Sequence, residues 1–437
     1  MKWLSYSQLM SKNGTKSKKH HFVPQAQLRH FACDARRKTI WVFDKSTDRS
    51  WPGAIGDTGS ENHFNTVELK TGRWNFEDIF QDVDNRSAQL ISKIIEQKSV
   101  AKITESDRTA LSDLIATQIL RTHFTRTSPL HIAKEIRGII SSLGYNPDDA
   151  PSLAMPNDSS LRLGAVKSFL EREDITRSMA RLNPALFAAG TGQQFVLSDH
   201  PVTITNAFPY GDVGLDSHGI MVVLPISPKF AVVLVCPTVI ERYMAIDQVG
   251  LETEQRARME RYRNGFRFRT PIEIQATELS GWNNRQVGQS ARFLYSATDG
   301  FKFARDILDG DPELRQVKTH VHLGKMGSPP PRRNGMPDGL HLVIQGVDDH
   351  CMWQIEEIDK SGEGLTARTK NIGLLGLVAQ DARDIRVELY DNGLATKSMS
   401  AATIERFGNP SEGWFRVVHR DSSLRALMKK IGIKSSN

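Results

Sequence analysis

The chain has 437 residues, of which 39% are hydrophobic, 24% charged and 8% aromatic. These proportions are close to the globular average, so they exclude a disordered, fibrous or coiled-coil protein. The length predicts two domains, one of more than about 200 residues. The longest apolar run, Phe230–Cys236, is far short of the ~20 residues of a membrane-spanning helix. The first residues lack the apolar core of an export signal, so no membrane association or export is expected.

The formal net charge of +7 is concentrated at the start of the chain. Residues 1–45 carry ten Lys or Arg side chains and two Asp, a balance of +8, which leaves −1 for the remainder. A basic segment is attracted to phosphate backbones by counterion release, so nucleic acid is the expected partner, with Lys16, Lys18 and Lys19 as contact residues. A solvated tail that only maintains solubility is the alternative.

The cysteines indicate the cellular compartment. There are three of them, far apart in the chain and without a Cys-x-x-Cys spacing. This pattern excludes a disulfide framework and a cysteine-rich zinc site, and it is typical of a reducing environment. We therefore expect a cytoplasmic protein.

The predicted elements begin with a short helix over 25–32, because Leu28 and Phe31 share one helical face, and a strand over 39–43. Four glycines predict a loop over 50–72. Apolar residues at three- and four-residue steps then predict a helix from residue 75. A capping signal at Thr104 predicts a second helix that continues past Pro129 to about residue 140, and another helix spans 160–182.

The middle third of the chain is strand-like. Apolar stretches bounded by Asp, Pro or Gly predict strands over 194–198, 202–205, 220–224 and 230–235. Helices are predicted over 239–246 and 272–297. Between them lies an arginine- and aromatic-rich stretch whose end, Gly265–Thr270, alternates and predicts a half-buried strand. Arginine beside aromatic residues also suits nucleic-acid stacking, which is the alternative.

A Pro- and Gly-rich segment at 321–339 predicts a linker. The expected domains are a flexible basic lead (1–17), a large domain (18–320) and a small C-terminal domain (340–437), with strands over 340–345, 352–358, 385–390 and 414–418 and a helix over 424–431. Because helices and strands occur in separate blocks, the predicted class is α+β, with long helices packed on a mixed or antiparallel sheet. The C-terminal domain is expected to be a second, smaller α+β domain.

The most unusual motif is His-His-Phe-Val-Pro at 20–24, followed by Leu-Arg-His-Phe at 28–31. It resembles the opening of a bacterial family known only as domain of unknown function 4238. Further matches follow in the family's order at 195–202, 224–228 and from Asn283 or Asn284 to 291–296, and the resemblance covers about residues 18–308. His200 departs from the family, which usually has Asn there. The resemblance implies an architecture and candidate positions but no reaction.

Histidine suits proton transfer near neutrality and also binds metals, so His20 and His21 are candidate catalytic residues. Asp199, in the Ser-Asp-His-Pro run at 198–201, would orient one of them or bind a divalent metal. The His-His-x-x-Pro run is similar to metal-finger nucleases, although residues 50–72 lack the pattern of the hairpin and helix that such a site requires. The alternative is structural: hydrogen-bonded histidines and a tight turn formed by Asp and Pro.

Four further polar residues are candidates for substrate binding: Gln25, Arg29, Arg121 and Asn284. The Arg-x-x-x-x-His spacing at 126–131 is similar to the ribonuclease motif of helical HEPN domains, but Pro129 interrupts it. Phosphate-loop, dinucleotide-binding and His-Glu-x-x-His zinc motifs are absent from the sequence.

The functional hypothesis is that the protein interacts with nucleic acid, and that it acts as a nuclease-like effector in defence or mobile-element conflict. The rival is a non-enzymatic interaction module whose C-terminal domain meets a protein partner. The sequence leaves open whether the chain is an enzyme.

Overall fold

The computed structural model describes most of the chain. The described residues are 11–12, 18–69, 72–142, 144–149, 151–170, 172–207, 214–215, 217, 219–245, 253–317, 339–346, 350–359, 365–369, 385–392, 394–406 and 412–419. Lys16 and most of the predicted linker lie outside them, as does the predicted helix at 424–431.

The helices are α1 (Gln25–Arg29), α2 (Glu77–Gln97), α3 (Glu105–Leu120), α4 (His123–Ser142), α5 (Asp158–Leu170), α6 (Glu173–Ala180), α7 (Pro237–Ala245), α8 (Thr253–Phe268), α9 (Ala276–Gln289) and α10 (Lys302–Gly310). The strands are β1 (Ser11–Lys12), β2 (Lys19–His21), β3 (Thr39–Asp44), β4 (Arg49–Ala54), β5 (Ser60–Asn62), β6 (Thr66–Leu69), β7 (Gly72–Asn75), β8 (Asn183–Ala188), β9 (Leu197–Ser198), β10 (Thr203–Asn206), β11 (Ile220–Pro225), β12 (Phe230–Val235), β13 (Ile272–Glu273), β14 (Phe293–Ser296), β15 (Leu340–Gly346), β16 (His350–Gln354), β17 (Glu357–Asp359), β18 (Leu365–Arg368), β19 (Ile385–Asp391), β20 (Leu394–Arg406) and β21 (Trp414–His419). Helices and mixed sheets in one chain confirm the α+β class.

The chain forms two compact units. The first comprises Met1–Ile204, Val222–Leu234 and Asn264–Leu323, and the second comprises Thr205–Met221, Val235–Arg263 and Gly324–Asn437. The division differs from a single cut at the linker, because two segments from the middle of the chain group with the C-terminal part. In the described residues no helix is both long enough and apolar enough to cross a bilayer.

The N-terminal segment packs on a sheet with the order β4-β3-β14-β9. Leu28 and Phe31 are fully buried in a cluster with Ile40 and Tyr295, so the predicted helical face is confirmed. The predicted loop at 50–72 is wrong, because this stretch contributes four strands. One of its glycines permits close packing instead, since a Cβ on Gly53 would lie 2.9 Å from Val42 of β3.

The predicted helix from 105 to 140 is two helices. Thr104 caps α3 as predicted, since its hydroxyl accepts from the Asp107 N–H while the Asp107 carboxylate accepts from the Thr104 N–H. The helix is interrupted between Leu120 and His123, and Pro129 lies inside α4. Arg121, the residue at the end of α3, is thereby placed at a buried corner between two helices.

A five-stranded sheet has the order β10-β11-β12-β8-β13, and β13 pairs with β8 in parallel. The predicted strand at 265–270 is wrong, because α8 runs to Phe268. The predicted helix at 272–297 is likewise wrong at both ends, where β13 and β14 flank α9. The predicted helix at 160–182 is divided into α5 and α6.

The C-terminal residues form a seven-stranded antiparallel sheet, in the order β16-β15-β19-β20-β21-β18-β17. The four predicted strands are present, with the second divided into β16 and β17, and β18 and β20 were not predicted. All regular elements described between 339 and 419 are strands.

Candidate functional site

The two adjacent histidines occupy β2, which pairs antiparallel with β5 so that His20 lies opposite Glu61 and His21 opposite Ser60. Successive side chains of a strand point to opposite faces, so the two rings meet different surroundings. His20 is fully buried and His21 is half-buried.

His20 is held by local structure. Its Nδ1 accepts a hydrogen bond of 2.9 Å from the backbone N–H of Asn65. The Asn65 side chain donates in turn to Glu77 Oε2 at 2.7 Å, and that oxygen lies 3.8 Å from His20 Nδ1. These contacts tie β2 to the start of α2. A catalytic role for His20 stays a prediction.

His21 has one nitrogen in use and one free. Its ring hydrogen-bonds the Gly56 backbone, whereas Nε2 is buried without a hydrogen-bond partner. The hydrogen bond to the Gly56 backbone raises the pKa of the ring, as a bond that the ring donates does, so Nδ1 carries the proton and the lone pair of Nε2 is buried without a partner. Burial, then the charge of Arg121 and, more weakly, Lys19, lower the pKa of His21 to about 4, against smaller opposing effects of Gly56 and Asp84. The imidazole is therefore neutral at physiological pH.

Arg121 is the cation that faces His21. Its side chain is fully buried and forms an ion pair with Asp84 of α2, with Nη2 2.9 Å from Oδ1 and Nη1 3.0 Å from Oδ2. Its Nε donates to Gln118 of α3. Burial raises the pKa of Glu77, and the charge of Arg121 and the hydrogen bond from Asn65 oppose this rise. His21, Glu77, Asp84 and Arg121 form a cluster that we call the His21 cluster.

Asp199 has a different set of partners. Oδ1 accepts from the Ala291 N–H at 2.8 Å, and Oδ2 accepts from the Arg292 and Phe293 N–H groups at 2.7 and 2.9 Å. Burial raises the pKa of this carboxyl, while the three N–H groups and the charge of Lys45 oppose the rise. The carboxylate thus fixes the backbone before β14, and its described hydrogen bonds do not reach either histidine. A catalytic role for Asp199 stays a prediction.

The neighbouring His200 is buried against Thr122, in the connection between α3 and α4, and against Phe124 of α4. Its Nδ1 lies 2.8 Å from the Thr122 hydroxyl, and its ring stacks on Phe124 with centroids 4.6 Å apart. Burial lowers the pKa of His200 to about 4. The Ser198 hydroxyl donates to the His200 carbonyl at 2.8 Å, which closes the predicted turn.

The predicted binding residues are dispersed. Asn284 is exposed on α9, whereas the adjacent Asn283 is buried and brackets the backbone at 194–196. Gln25 and Arg29 form a hydrogen bond of 2.9 Å on the outer side of α1. Of the four predicted binding residues, Arg121 alone belongs to the His21 cluster. The roles of the other three stay predictions.

The basic contact residues are described in part. Lys18 is exposed, and Lys19 forms an ion pair with Asp57. The Arg-x-x-x-x-His pair at 126–131 is separated by five residues on one helix, which places the two side chains about 140° apart around α4. They therefore do not share one helical face.

The sequence did not identify the acidic members of the cluster. In the sequence, Glu77 stands with Asp78 and Asp82 near the start of the predicted helix, where acidic residues favour the helix dipole, and Asp84 carries no signal. Residues 50–72 lack the sequence pattern of the hairpin and helix of a metal-finger nuclease, yet β6 and β7 pair antiparallel directly before α2. Among the described residues, no three His, Cys, Asp or Glu side chains converge as metal ligands.

Comparisons with known proteins give one family. A family model described as "Protein of unknown function (DUF4238)" matches residues 19–300. No curated protein and no solved structure matches the chain. The match includes every member of the His21 cluster and the turn at Asp199.

Proposed function

Since the chain belongs to the DUF4238 family, whose description assigns no activity, we propose from its own residues that it binds nucleic acid and cleaves phosphodiester bonds at the His21 cluster. One observation carries this proposal. His21 presents an unpartnered Nε2, in the neutral form, beside the buried cation Arg121.

The proposed role of His21 is that of a general base. With Nδ1–H fixed on the Gly56 backbone, Nε2 is the nitrogen that accepts a proton from an attacking hydroxyl or water. An anionic substrate near Arg121 offsets the positive field that lowers the pKa of His21. Substrate binding therefore raises this pKa towards the range in which a histidine base is most effective.

The proposed role of Arg121 is to stabilise negative charge on the phosphate. A buried guanidinium in a low-dielectric site acts more strongly on developing charge than one in water. Asp84 keeps the guanidinium oriented through two contacts of about 3 Å. The basic first 45 residues supply sequence-independent attraction to the nucleic-acid backbone.

The test is cleavage of labelled RNA and DNA, single- and double-stranded, with Mg²⁺, with Mn²⁺ and with EDTA. Wild type is expected to cleave at least one of these substrates, and His21→Ala is expected to lose at least about 100-fold in rate, the usual contribution of a general base. His30→Ala is the matched control, because His30 is another half-buried histidine with a pKa lowered by burial. It is expected to leave the rate unchanged. Equal rates in wild type and His21→Ala would contradict the role of His21.

The pH profile provides an independent measurement. The base form of His21 is the neutral form, so kcat/KM should stay high from pH 7 down to about pH 5 and fall as the pH approaches its pKa of about 4. A profile that falls near pH 6.5 would instead indicate an unperturbed histidine.

Binding is tested by titration of nucleic acid at several salt concentrations. A basic arm that neutralises phosphates gives a linear decrease of log affinity with log salt. Removing the charges at Lys16, Lys18 and Lys19 by substitution with Gln should reduce that slope by up to about three units. A flat salt response in wild type would remove nucleic acid from the proposal.

The rival function is a non-enzymatic interaction module. The contacts of Asp199, His20 and Asn283 favour it, since all three side chains hydrogen-bond backbone groups of the same unit. Under this alternative, no substrate is cleaved by wild type.

A further inference from the structure

A series of buried hydrogen bonds begins at Arg121 and ends at the Pro225 carbonyl oxygen. Arg121 Nε donates to Gln118 Oε1, and Gln118 Nε2 donates in turn to Gln27 Oε1 at 3.2 Å. Gln27 Nε2 donates to the Pro225 carbonyl oxygen at 3.1 Å. All four residues lie in the first unit, and the three side chains belong to residues that are at most 3% exposed. We call this series the glutamine bridge.

The two ends of the glutamine bridge fix the orientation of both amides. A guanidinium only donates hydrogen bonds, and a carbonyl only accepts them. Gln118 therefore turns its oxygen to Arg121 and its NH₂ to Gln27, and Gln27 turns its NH₂ to Pro225. Each contact pairs one donor with one acceptor. Neither amide can be reversed without leaving a buried polar group unpaired, which is costly.

The glutamine bridge joins elements that are far apart in the sequence. Gln27 lies on α1, in the first segment that resembles the family, and Pro225 ends β11, in the third such segment. Gln118 lies on α3, one turn before Arg121. The position of the Arg121 side chain therefore depends on contacts with α1 and β11 as well as on its own helix.

Arg121 is contacted at every nitrogen of its guanidinium. Nη1 and Nη2 lie 3.0 and 2.9 Å from the Asp84 carboxylate oxygens, and Nε is occupied by Gln118. Asp84 by itself would leave the buried Nε–H without an acceptor. A planar group that is contacted along two of its edges has little freedom to rotate, and buried polar networks of this kind stabilise a single conformation.

The structure assigns to Gln27 and Gln118 the role of positioning residues, which hold the Arg121 guanidinium in place beside His21. They act through Arg121, and this role rests on the proposed function, in which Arg121 stabilises charge on the phosphate. Its effect is nevertheless measurable without a substrate. After burial, the charge of Arg121 is the largest of the effects that lower the pKa of His21.

The test is an NMR titration of the His21 ring in the full chain between about pH 8 and about pH 4.5, with the signal assigned by its loss in His21→Ala. In wild type the ring is expected to stay mainly neutral, because its pKa is about 4. Gln118→Met keeps most of the side-chain length and removes the acceptor of Arg121 Nε. The guanidinium then turns to another acceptor, and the midpoint of His21 is expected to rise by about one pH unit or more. Lys19 and Asp84, the other charged groups that act on His21, are unchanged in this variant.

Gln286→Met is the matched control. Gln286 is also a buried glutamine of the first unit, and it likewise accepts one hydrogen bond, from the Ser198 hydroxyl, and donates one, to the Pro201 carbonyl. Each substitution leaves two buried partners unpaired, so both variants are expected to lower Tm by similar amounts. Only Gln118→Met is expected to move the midpoint of His21, which loss of stability alone would not do.

Gln27→Met tests the next link and decides the question if Gln118→Met does not fold. It leaves Gln118 Nε2 unpaired, so the Gln118 amide is free to turn its oxygen away from Arg121. The midpoint of His21 is expected to rise in the same direction and by less than in Gln118→Met, because Gln118 keeps its oxygen. A midpoint that stays at about 4 in either variant, or that rises equally in Gln286→Met, would overturn the assignment.

Cleavage assays separate this role from the proposed function. If wild type cleaves nucleic acid, Gln118→Met is expected to lower kcat by about tenfold or more, and to move the acid limb of the pH profile upward by the same interval as the NMR midpoint. Gln286→Met should keep the wild-type limb. No cleavage by wild type would reject the proposed function and leave the NMR result standing. Wild-type cleavage with an unmoved His21 midpoint in Gln118→Met would reject the positioning role and leave the proposed function in place.

Discussion

Asp199 is a charged residue whose described hydrogen bonds are all to main-chain amides. Two oxygens accept from three consecutive N–H groups, Ala291 to Phe293, in a fully buried position. Charge-assisted bonds of this kind are about twice as strong as neutral ones. This arrangement favours a structural role. A structural role and a catalytic role differ in the effect that a substitution of Asp199 has on the free energy of unfolding.

We predict that Asp199→Asn lowers the free energy of unfolding by roughly 2–4 kcal/mol, because the amide NH₂ would face backbone donors and leave buried N–H groups unpaired. Urea unfolding monitored by circular dichroism measures the change. Asp306→Asn, on the exposed Lys302–Asp306 pair of α10, is the control and should change stability by less than about 0.5 kcal/mol. Normal stability with lost activity would instead identify Asp199 as catalytic.

His200 makes stability depend on pH. Its folded pKa of about 4 lies below the ordinary value of 6.5, so the unfolded chain takes up a proton in a range where the folded chain does not. Above pH 6.5 the imidazole is neutral in both the folded and the unfolded chain, so the free energy of unfolding does not depend on it. As the pH decreases from 6.5 to about 4, only the unfolded chain binds the proton and the free energy of unfolding falls. From pH 7.5 to pH 5 the loss amounts to about 2 kcal/mol.

We predict that His200→Asn, which cannot titrate, loses about 2 kcal/mol less than wild type over the same interval of pH. Urea unfolding of both proteins at pH 7.5 and pH 5 gives the comparison. Other titrating groups, including His21 and Glu77, are present in both proteins and cancel in the difference. Parallel pH dependences would show that His200 is not the buried, neutral group described above.

At the scale of single residues, the sequence predicts local conformation better than it predicts which distant residues form hydrogen bonds or ion pairs. The turn at 198–201 follows from Asp and Pro, and the opposite orientation of His20 and His21 follows from the strand period. The amides that bind Asp199 lie more than 90 residues further along the chain, and Arg121 meets Asp84 from another helix. Such pairings depend on tertiary packing, which no local pattern encodes.

At the scale of elements, the packing of α8 on β13 depends on a missing side chain. A Cβ on Gly265 would lie 2.1 Å from Cγ1 of the fully buried Ile272. The helix therefore approaches the strand that pairs with β8 at a distance that only glycine allows.

We predict that Gly265→Ala destabilises the protein by about 1–3 kcal/mol, because overpacking outweighs the gain in helix propensity. The matched control is Gly281→Ala on α9, where a Cβ would meet no atom within 4 Å. That change should stabilise by up to about 1 kcal/mol. Thermal unfolding of both variants measures the two opposite signs, and a stabilised Gly265→Ala would contradict the close packing.

The stretch that begins at the same glycine gave a wrong secondary-structure prediction. Alternating Phe and Arg after Gly265 have the period of a strand, yet the stretch is the last turn of a helix that begins at Thr253. In contrast, the capping box at Thr104 was predicted correctly because all of its interactions lie within four residues. Short strands such as β5 and β6 were missed because three or four residues are too few to establish a period.

At the scale of the whole molecule, the sequence predicted the family and the α+β class, while the domain boundary stays a prediction. The two compact units each contain segments from separate parts of the chain. Hydrophobic periodicity reports which residues are buried but not which distant segments bury them together. The linker at 321–339 was predicted from its prolines and glycines, and protease accessibility is the measurement that addresses it.

We predict that trypsin at low concentration first cuts the native protein after Arg332 or Arg333. The prediction rests on composition, because prolines and glycines disfavour regular secondary structure and such connecting segments are preferred sites of proteolysis. Mass spectrometry should find a fragment ending at one of these two residues before any other product. Arg332→Gln combined with Arg333→Gln should slow this first cut without changing Tm. Earlier cleavage inside residues 50–72 would place the weak point of the molecule elsewhere and reject a boundary at 321–339.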